Sequence, residues 1–433
     1  MLDKIIMILN SKRDVISGYV ITEIMTEASE LFFIRRNVEM DRAKRVHHYS
    51  LTVYIDFEDN GTRYKGSSTT KLHPTMSEEE IRKAVEDAAF AARFAKNPYY
   101  PLVKPSSYRK TEPGSFSEES LSYYMNLLTE AVYKNDQFEK GGINSCEIFL
   151  NRIYSHVVNS EGVDEDAVTY NCMVEFITCW KEEGEEIELY KCLNFSEFEP
   201  DTITGEVDEM IRLSREKAVA KPMPSLGKAA VLLTRDAVKD FFSYYCTKSN
   251  AASVYNRSSI WQIGDKIQGE EVEGDRITLK LDPYLVGSTY SKGFDEDGFP
   301  VKPVTILENG ILKRYIANTR YAHYMGVEPT GSIRNMVVSP GSRSLRELKQ
   351  EPYFEVASFS DFNVDPVTGD FGGEVRLGWY YDGERTIPLT GGAVTGNINE
   401  LHRELYLSAE LQKDNHYEGP AAVKIMNMNV SGL

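Results

Sequence analysis

The side chains best suited to bind a metal ion or to transfer protons are few in this sequence and widely spaced. It contains seven histidines and five cysteines. No two histidines have the H-x-x-x-H or H-x-x-H spacing that would bring both rings to one face of a helix. No G-x-S-x-G, P-loop or G-x-G-x-x-G motif occurs either. Spacing therefore predicts neither a metal site nor a nucleophile. A hydrolytic site assembled from residues distant in sequence stays open as an alternative.

The cysteines favour a packing role over redox or metal chemistry. Their number is odd, no pair is spaced C-x-x-C, and three of them fall in stretches that we expect to be strands. We therefore predict neither a disulfide framework nor a zinc ribbon, and expect small buried side chains. The five are Cys146, Cys172, Cys179, Cys192 and Cys246.

Acidic, glycine and small polar residues gather instead in turns of the C-terminal half. The simplest interpretation is structural, because glycine supplies left-handed backbone and aspartate caps a turn through its own side chain. A functional role at the same positions is the alternative. The candidate site residues are Asp295, Asp297, Gly298, Gly310, Thr330, Gly331, Gly396 and Asn397.

Composition limits the class of partner. The 433-residue chain carries a formal charge of −17, so it should repel phosphate backbones, and we predict no direct nucleic-acid binding. It has no apolar run near the ~20 residues that a membrane helix needs. The first 14 residues lack the small-residue cleavage site of a signal peptide. We expect a cytoplasmic protein that does not bind membranes.

The elements that would position these turns form two domains of an α+β protein. Residues 1–220 read as antiparallel strands followed by a helix, a pattern that recurs at about 30–95 and 142–218 and predicts an internal duplication. A proline-containing linker is predicted at 221–228. Residues 229–433 have short apolar runs separated by Gly, Asp, Asn and Pro, which predicts a mostly antiparallel sheet or barrel-like domain with few helices.

Several short motifs, in order, resemble the TldD/PmbA family, known as modulators of DNA gyrase or peptide-maturation metallopeptidases. Phe294–Gly298 (FDEDG) resembles the family's F-D-x-E-G turn, with Asp297 where Glu is usual. Leu307–Leu312 (LENGIL) resembles its L-I-E-x-G-x-L hairpin, and Pro329–Gly331 (PTG) its T-G loop. The segments DPVTG at 365–369, GGAVTGN at 391–397 and NSEG at 159–162 also fit. The match covers most of the chain.

The resemblance also shows what this chain lacks. Catalytic members carry H-E-x-x-x-H on a helix early in the C-terminal domain, together with a cysteine near the C-terminus. In that motif the histidines bind zinc and the glutamate acts as general base. The corresponding helix here, Ala237–Cys246 (AVKDFFSYYC), has no histidine, and Asn415–Pro420 (NHYEGP) has no cysteine. No catalytic or metal-binding residue is therefore assigned, and this chain is expected to bind no cofactor.

The PmbA (TldE) branch of the family has this character, so the resemblance implies a non-catalytic subunit. Its partner would be a TldD-like subunit that binds the zinc, or a second copy of itself in a homodimer. Together they would enclose an extended peptide substrate and process or degrade unfolded or leader peptides. Two alternatives stay open: an active peptidase or hydrolase with a non-standard site, and a non-enzymatic peptide-binding or scaffold protein.

Overall fold

The computed structural model describes residues 1–112, 114–184 and 186–432. Long antiparallel strands and flanking helices make up the N-terminal part. Its elements are α1 Leu2–Asn10, β1 Gly18–Ile34, β2 Asn37–Asp59, β3 Thr62–Leu72, α2 Glu78–Ala92, β4 Asn97–Pro98, α3 Leu121–Tyr133, β5 Gly141–Asn159, β6 Asp164–Trp180, β7 Ile187–Phe195 and α4 Pro200–Ala218.

The N-terminal strands form one antiparallel sheet in the order β4-β3-β2-β1-β5-β6-β7. Each half of the sheet consists of three strands followed by a helix: β1–β3 with α2, and β5–β7 with α4. The two halves meet where β1 pairs with β5 at the centre of the sheet. The first unit begins at Gly18, earlier than the predicted start near residue 30, and β5 runs without a break from Gly141 to Asn159. Polar cross-strand pairs such as Glu27 opposite Arg152 conceal this continuity in the sequence.

Local signals place the first helix and hairpin. Asn60 and Gly61 have φ of 53° and 74° and form the two-residue turn between β2 and β3, as the Asn-Gly pair predicts. The sequence Ser77-Glu-Glu-Glu80 has the S-x-x-E pattern that predicts a capping box at the start of α2. In the structure the Ser77 hydroxyl accepts from the Glu80 backbone N–H, and the Glu80 carboxylate accepts from the Ser77 N–H. Helices α1 and α2 then cover the β1–β3 part of one sheet face, and α3 and α4 cover its β5–β6 part.

The C-terminal part is rich in short strands. Its elements are β8 Lys221–Pro222, β9 Gly227–Thr234, α5 Asp236–Lys248, α6 Ala251–Tyr255, β10 Leu279–Leu281, β11 Val304–Glu308, β12 Ile311–Leu312, α7 Thr319–Met325, β13 Met336–Val338, α8 Leu345–Leu348, β14 Tyr353–Val364, β15 Asp370–Tyr381, β16 Thr386–Thr390, β17 Ala393–Asn397, α9 Ile398–Leu401, β18 Leu405–Leu407, β19 Leu411–Asp414, β20 Tyr417–Pro420 and β21 Ala422–Ser431.

These strands build two sheets around one core. Strands β14, β9, β21, β17 and β15 are hydrogen-bonded in sequence, and β14 also pairs with β15, so they close into a five-stranded barrel. A second sheet has the order β12-β11-β10-β13-β20-β19. The architecture is the α+β arrangement predicted, with few helices in the C-terminal half. The predicted linker 221–228 takes part in this sheet structure, because β8 pairs with β16 and Met223 is buried.

The C-terminal part also meets the face of the N-terminal sheet that the helices leave open. Val20, Tyr54, Tyr100 and Val157 of the N-terminal part pack against Phe294 in a shared apolar cluster. The Arg320 guanidinium of α7 donates to the Asn97 side-chain oxygen at 2.7 Å. This packing positions the 293–301 turn against the sheet. No helix among the described residues is long and apolar enough to cross a membrane.

Candidate functional site

Helix α5 lies where the resemblance would require metal ligands, and its inward face is filled with aromatic rings. Phe241, Phe242, Tyr244 and Tyr245 are each at most 1% exposed. Phe242 stacks on Tyr417 of β20, with ring centroids 6.3 Å apart and planes 15° from parallel. The contact joins the helix to the C-terminal segment in which the family's cysteine would be expected. Apolar packing therefore occupies this junction.

Beside the aromatic packing lies an alternating chain of cations and carboxylates. Lys239 Nζ is 2.5 Å from Asp414 Oδ2 and 3.7 Å from Asp236 Oδ1. Lys191 Nζ, from β7, lies 3.0 Å from Asp236 Oδ2. The four residues come from β7, α5 and β19, so this network joins the two parts of the chain. We call Lys191, Asp236, Lys239 and Asp414 the ion network.

Charge pairing within the network overcomes the cost of desolvation. The surroundings of Asp236 disfavour its charge, but the two ammonium groups outweigh this effect and lower its pKa. Desolvation would likewise lower the pKa of Lys239, but Asp414 and Asp236 raise it. Asp236 and Lys239 are therefore both charged at neutral pH. Asp236 cannot act as a general base in this arrangement, since a base must be able to take up a proton near the working pH.

His416 is the imidazole nearest this network. Burial, and then the Lys239 charge, lower its pKa, so the ring is neutral at pH 7. Its Nδ1 is buried and has no hydrogen-bond partner among the described residues. The ring stands perpendicular to Tyr290, with centroids 5.5 Å apart. A neutral imidazole can bind a metal ion, but the Lys239 ammonium that lowers the pKa of His416 would also repel a cation there.

The donor set does not fit the zinc site of the family's catalytic members. Among the residues that the structure describes, no three His, Cys, Asp or Glu side chains are grouped so that they could hold a metal ion. Asp240 is the further carboxylate on α5, and burial raises its pKa, which weakens it as a ligand. Lys239 places a positive charge beside Asp236 and Asp414, where a dication would be repelled.

A cleft of about 530 Å³ opens beside the ion network, between the two parts of the chain. Its walls include residues of β7, α4, the start of α5 and β19. Strand β7 ends the N-terminal sheet and β19 ends the second C-terminal sheet, so two sheet edges border the cleft. Arg235, at the entrance to α5, has φ of 59° and ion-pairs with Glu209 at 2.9 Å. A left-handed non-glycine residue at a cleft wall is strained backbone of the kind found at functional sites.

The predicted site residue Asp295 joins two loops and lies apart from this cleft. Its Oδ1 accepts from the backbone N–H groups of Asp297 and Phe299 at 3.0 Å, and its Oδ2 accepts from the Ser332 N–H at 3.1 Å. Burial, reinforced by the nearby charge of Asp297, raises the pKa of Asp295 to about 7. The arrangement is an Asx-type turn that also fixes a neighbouring loop.

The neighbouring predicted residues belong to the same junction. A Cβ at Gly298 (φ 78°) would lie 2.5 Å from Val163 Cγ1 of the N-terminal part. A Cβ at Gly331 (φ 75°) would lie 2.5 Å from Val301 Cγ1 and 3.2 Å from Asp295 Oδ2. The Thr330 hydroxyl accepts from the Ala317 N–H at 2.9 Å. The structure thus brings Asp295, Asp297, Gly298, Thr330 and Gly331 together at one contact between the two parts.

The remaining predicted residues lie elsewhere in the C-terminal part, and only Gly310 is in a turn, because Gly396 and Asn397 belong to strand β17. Gly310 (φ 75°) ends the turn between β11 and β12, where a Cβ would lie 2.9 Å from Gln268 Oε1. Gly396 has a close neighbour in Leu401, 2.6 Å from the position of a Cβ. Asn397 caps α9 by accepting from the Asn399 N–H at 2.9 Å.

The residues of the ion network were not identified from the sequence. Lys191, Asp236, Lys239 and Asp414 carry no motif, and Lys239 and Asp414 are 175 positions apart. His416 was identified only as one of the isolated histidines. No local pattern could have found a cluster that forms by packing of β7, α5 and β19.

Comparisons with known proteins agree with this architecture. Residues 226–432 match the family model described as the PmbA/TldA metallopeptidase C-terminal domain. An uncharacterized protein of Methanocaldococcus jannaschii is 26% identical over 77% of this chain and 84% of its own. A metalloprotease PmbA homolog of Buchnera aphidicola is 21% identical over 88% and 86%. The crystal structure of TldE from Thermococcus kodakarensis superposes with a TM-score of 0.80 at 16% identity, covering 99% of this chain and all of the other. With the fold, the ordered motifs and the C-terminal match in agreement, the chain belongs to the PmbA/TldD metallopeptidase family.

Proposed function

We propose that this chain is a non-catalytic, PmbA (TldE)-like subunit of a heteromeric zinc peptidase that acts on unfolded or leader peptides. The observation that carries the proposal is the ion network on α5. A zinc-binding relative with H-E-x-x-x-H would supply the metal and the general base. This chain would supply a wall of the substrate chamber.

Packing contacts of α5 stand where the catalytic members have zinc ligands, which supports a non-catalytic role rather than a different metal site. A catalytic zinc site keeps three protein ligands and one open position. Here the helix presents the Phe242 ring to Tyr417 and the Lys239 ammonium to Asp414. Both contacts stabilise the junction in a closed form, and opening it for a metal would break an ion pair and expose apolar surface.

The cleft beside the network supports a role in holding peptides. An extended chain can add to an exposed sheet edge through backbone hydrogen bonds, which bind any sequence and suit unfolded substrates. Strands β7 and β19 both offer such an edge at the cleft. This also supports the non-enzymatic peptide-binding alternative, which requires no partner.

An assay of this chain with and without a zinc-binding relative distinguishes the non-catalytic subunit from the two alternatives. The purified chain, an H-E-x-x-x-H relative from the same organism, and the two together are assayed for hydrolysis of fluorescently labelled denatured casein. We expect this chain to be inactive alone, to co-elute with the relative and to increase its activity. Hydrolysis by this chain alone that survives repurification would favour the active-hydrolase alternative. Peptide binding without co-elution would favour the scaffold alternative.

A second association, between two copies of this chain, is favoured by the free edge of β2. Strand β3 pairs with β2 only from Tyr49 onward, so residues 37–48 have β1 on one side and no strand on the other among the described residues. In a two-residue hairpin the residues that flank the turn, here Asp59 and Thr62, form a hydrogen-bonded pair. Every odd-numbered residue of β2 therefore directs its backbone N–H and C=O toward β3, and before Tyr49 these groups point outward. An antiparallel pairing centred on Ala43 would place Asp41 opposite Arg45 of the other copy, which matches these two charges. It would also place Arg42 opposite Lys44, and Glu30 of β1 neutralises part of this like-charge pair.

A further inference from the structure

Lys292 is a half-buried cation without an ion-pair partner. Its Nζ lies 4.1 Å from the centre of the Phe294 ring, and it has no carboxylate oxygen within 4.0 Å in the described parts of the chain. The adjacent acidic residues are engaged elsewhere. Asp295 accepts three backbone N–H groups, and Glu296 faces Arg334 at 3.9 Å. A desolvated ammonium in this state is short of a counter-charge.

A cavity of about 290 Å³ opens at Lys292, between the uncovered face of the N-terminal sheet and the C-terminal part. The sheet contributes uncharged residues to it: Ile24, Ile153, Ser155 and Thr169. The charged groups around the cavity are therefore those of the C-terminal part. Asp295, Glu296 and Arg334 line it there together with Lys292, but the Asp295 carboxyl is held by three backbone N–H groups and Glu296 faces Arg334. An anion entering the cavity would meet the Lys292 ammonium and the hydroxyl groups of Ser155 and Thr169, with no anionic side chain on the sheet side to repel it.

The cavity continues toward the cleft beside the ion network. A middle cavity of about 260 Å³ shares Thr169 and Ser291 with the Lys292 cavity, and shares Glu197 and Gly287 with the cleft. The three spaces adjoin one another in a row along β6 and the edge of β7, and we call this row the groove. Its shape suits an extended chain, and Lys292 marks one of its two ends.

We propose that Lys292 binds the C-terminal carboxylate of an extended peptide lying in this groove. The proposal rests on the peptide-binding role proposed above and adds the direction of the substrate. A free carboxylate is the anion that every unmodified peptide carries, whatever its sequence, and an ammonium suits it as a point charge. The amino end would then run toward the cleft, where Glu197 and Glu199 line the wall.

The test compares two forms of one short, fluorescently labelled peptide without charged side chains: the free acid and the C-terminal amide. Binding to the full-length chain is measured by fluorescence anisotropy at pH 7. We expect the free acid to bind about tenfold more tightly than the amide, the effect of one charge-assisted contact. Lys292→Met should remove the difference by weakening the free acid alone. Lys266→Met is the matched control, because Lys266 is exposed and pairs with Glu270, and it should retain the difference.

A measurement on the unmodified chain guards against misfolding of the variant. Burial lowers the pKa of Lys292 to about 8, so preference for the free acid should fade as the pH rises from 7 toward 10, while binding of the amide stays constant. Equal affinity for the two peptides at pH 7, or a preference that persists in Lys292→Met, would overturn the proposal. Failure of both peptides to bind would overturn it too, whereas the mixing assay with the zinc-binding relative tests the proposed function independently.

Discussion

Replacing Asp295 with asparagine should change how the stability of the protein depends on pH. The carboxyl group is buried, and its pKa is raised from 3.8 to about 7. A raised carboxyl pKa means that the folded state binds the proton more tightly than the unfolded state does. The stabilising contribution is therefore fully present below about pH 4 and is lost as the pH rises through about 7. Asparagine cannot ionise, so Asp295→Asn removes this dependence.

The size of the effect follows from the shift. Each unit between the unfolded and folded pKa values costs about 1.4 kcal/mol, so the Asp295 carboxyl lowers the free energy of unfolding by about 4 kcal/mol between about pH 3 and pH 8. Between about pH 4.5 and pH 8 the variant should gain about 3 kcal/mol relative to the wild-type chain. Asparagine also turns a donor toward the Ser332 N–H, which adds a constant loss and leaves the slope unchanged.

The assay is urea unfolding of both proteins at several pH values, followed by near-ultraviolet circular dichroism. Asp365→Asn is the control, because this exposed aspartate also accepts two backbone N–H groups, from Val367 and Thr368, but they lower its pKa. Its contribution is lost only in acid, so the control should track the wild-type chain from pH 5 to pH 8. If the difference in unfolding free energy between Asp295→Asn and the wild-type chain stayed constant across this range, or changed in the opposite direction, the Asp295 pKa would not be raised in the folded state.

Three further predictions concern the ion network, the domain contact and the free strand edge. Lys239→Met and Asp414→Asn should each lower the free energy of unfolding by about 2 kcal/mol, measured by urea unfolding. The double variant should lose at least about 1 kcal/mol less than the sum of the two, and additive losses would show that the two residues do not interact. Gly331→Ala should lower the melting temperature well beyond Gly326→Ala, since both have positive φ but only Gly331 lacks space for a methyl group; equal losses would contradict this. Ala43→Cys should form a disulfide-linked dimer under mild oxidation, and a persistent monomer would exclude the proposed β2 pairing.

The sequence predicted the features whose causes are local. The Asn60–Gly61 turn and the Ser77–Glu80 capping box depend on residues within one turn of each other, and both appear as expected. The full length of β2 was not predictable, because residues 37–46 are exposed beside an open edge and show little apolar alternation. A half-buried strand is recognised in a sequence by alternating apolar and polar residues, and this exposed part of β2 lacks that alternation.

The candidate site could be predicted only by what it lacks. The absence of histidines from α5 could be read directly, whereas the groups that replace the ligands could not. Lys239 meets Asp414 only because β19 lies beside α5 in the folded chain. Lys292 looks like any other lysine in the sequence, and its lack of an ion-pair partner becomes evident only when the uncharged sheet residues pack opposite it. Such features arise from tertiary packing, which propensity and spacing do not report.

The most direct test of the proposed non-catalytic role is the zinc content of the purified chain, measured by elemental analysis after exposure to zinc and desalting. The H-E-x-x-x-H relative, treated in parallel, serves as the positive control. We predict far less than one zinc per chain here and about one in the relative, because Lys239 and the aromatic face of α5 leave no three-ligand site among the described residues. About one zinc bound tightly to this chain would contradict the non-catalytic role and would direct the search to ligands around His416.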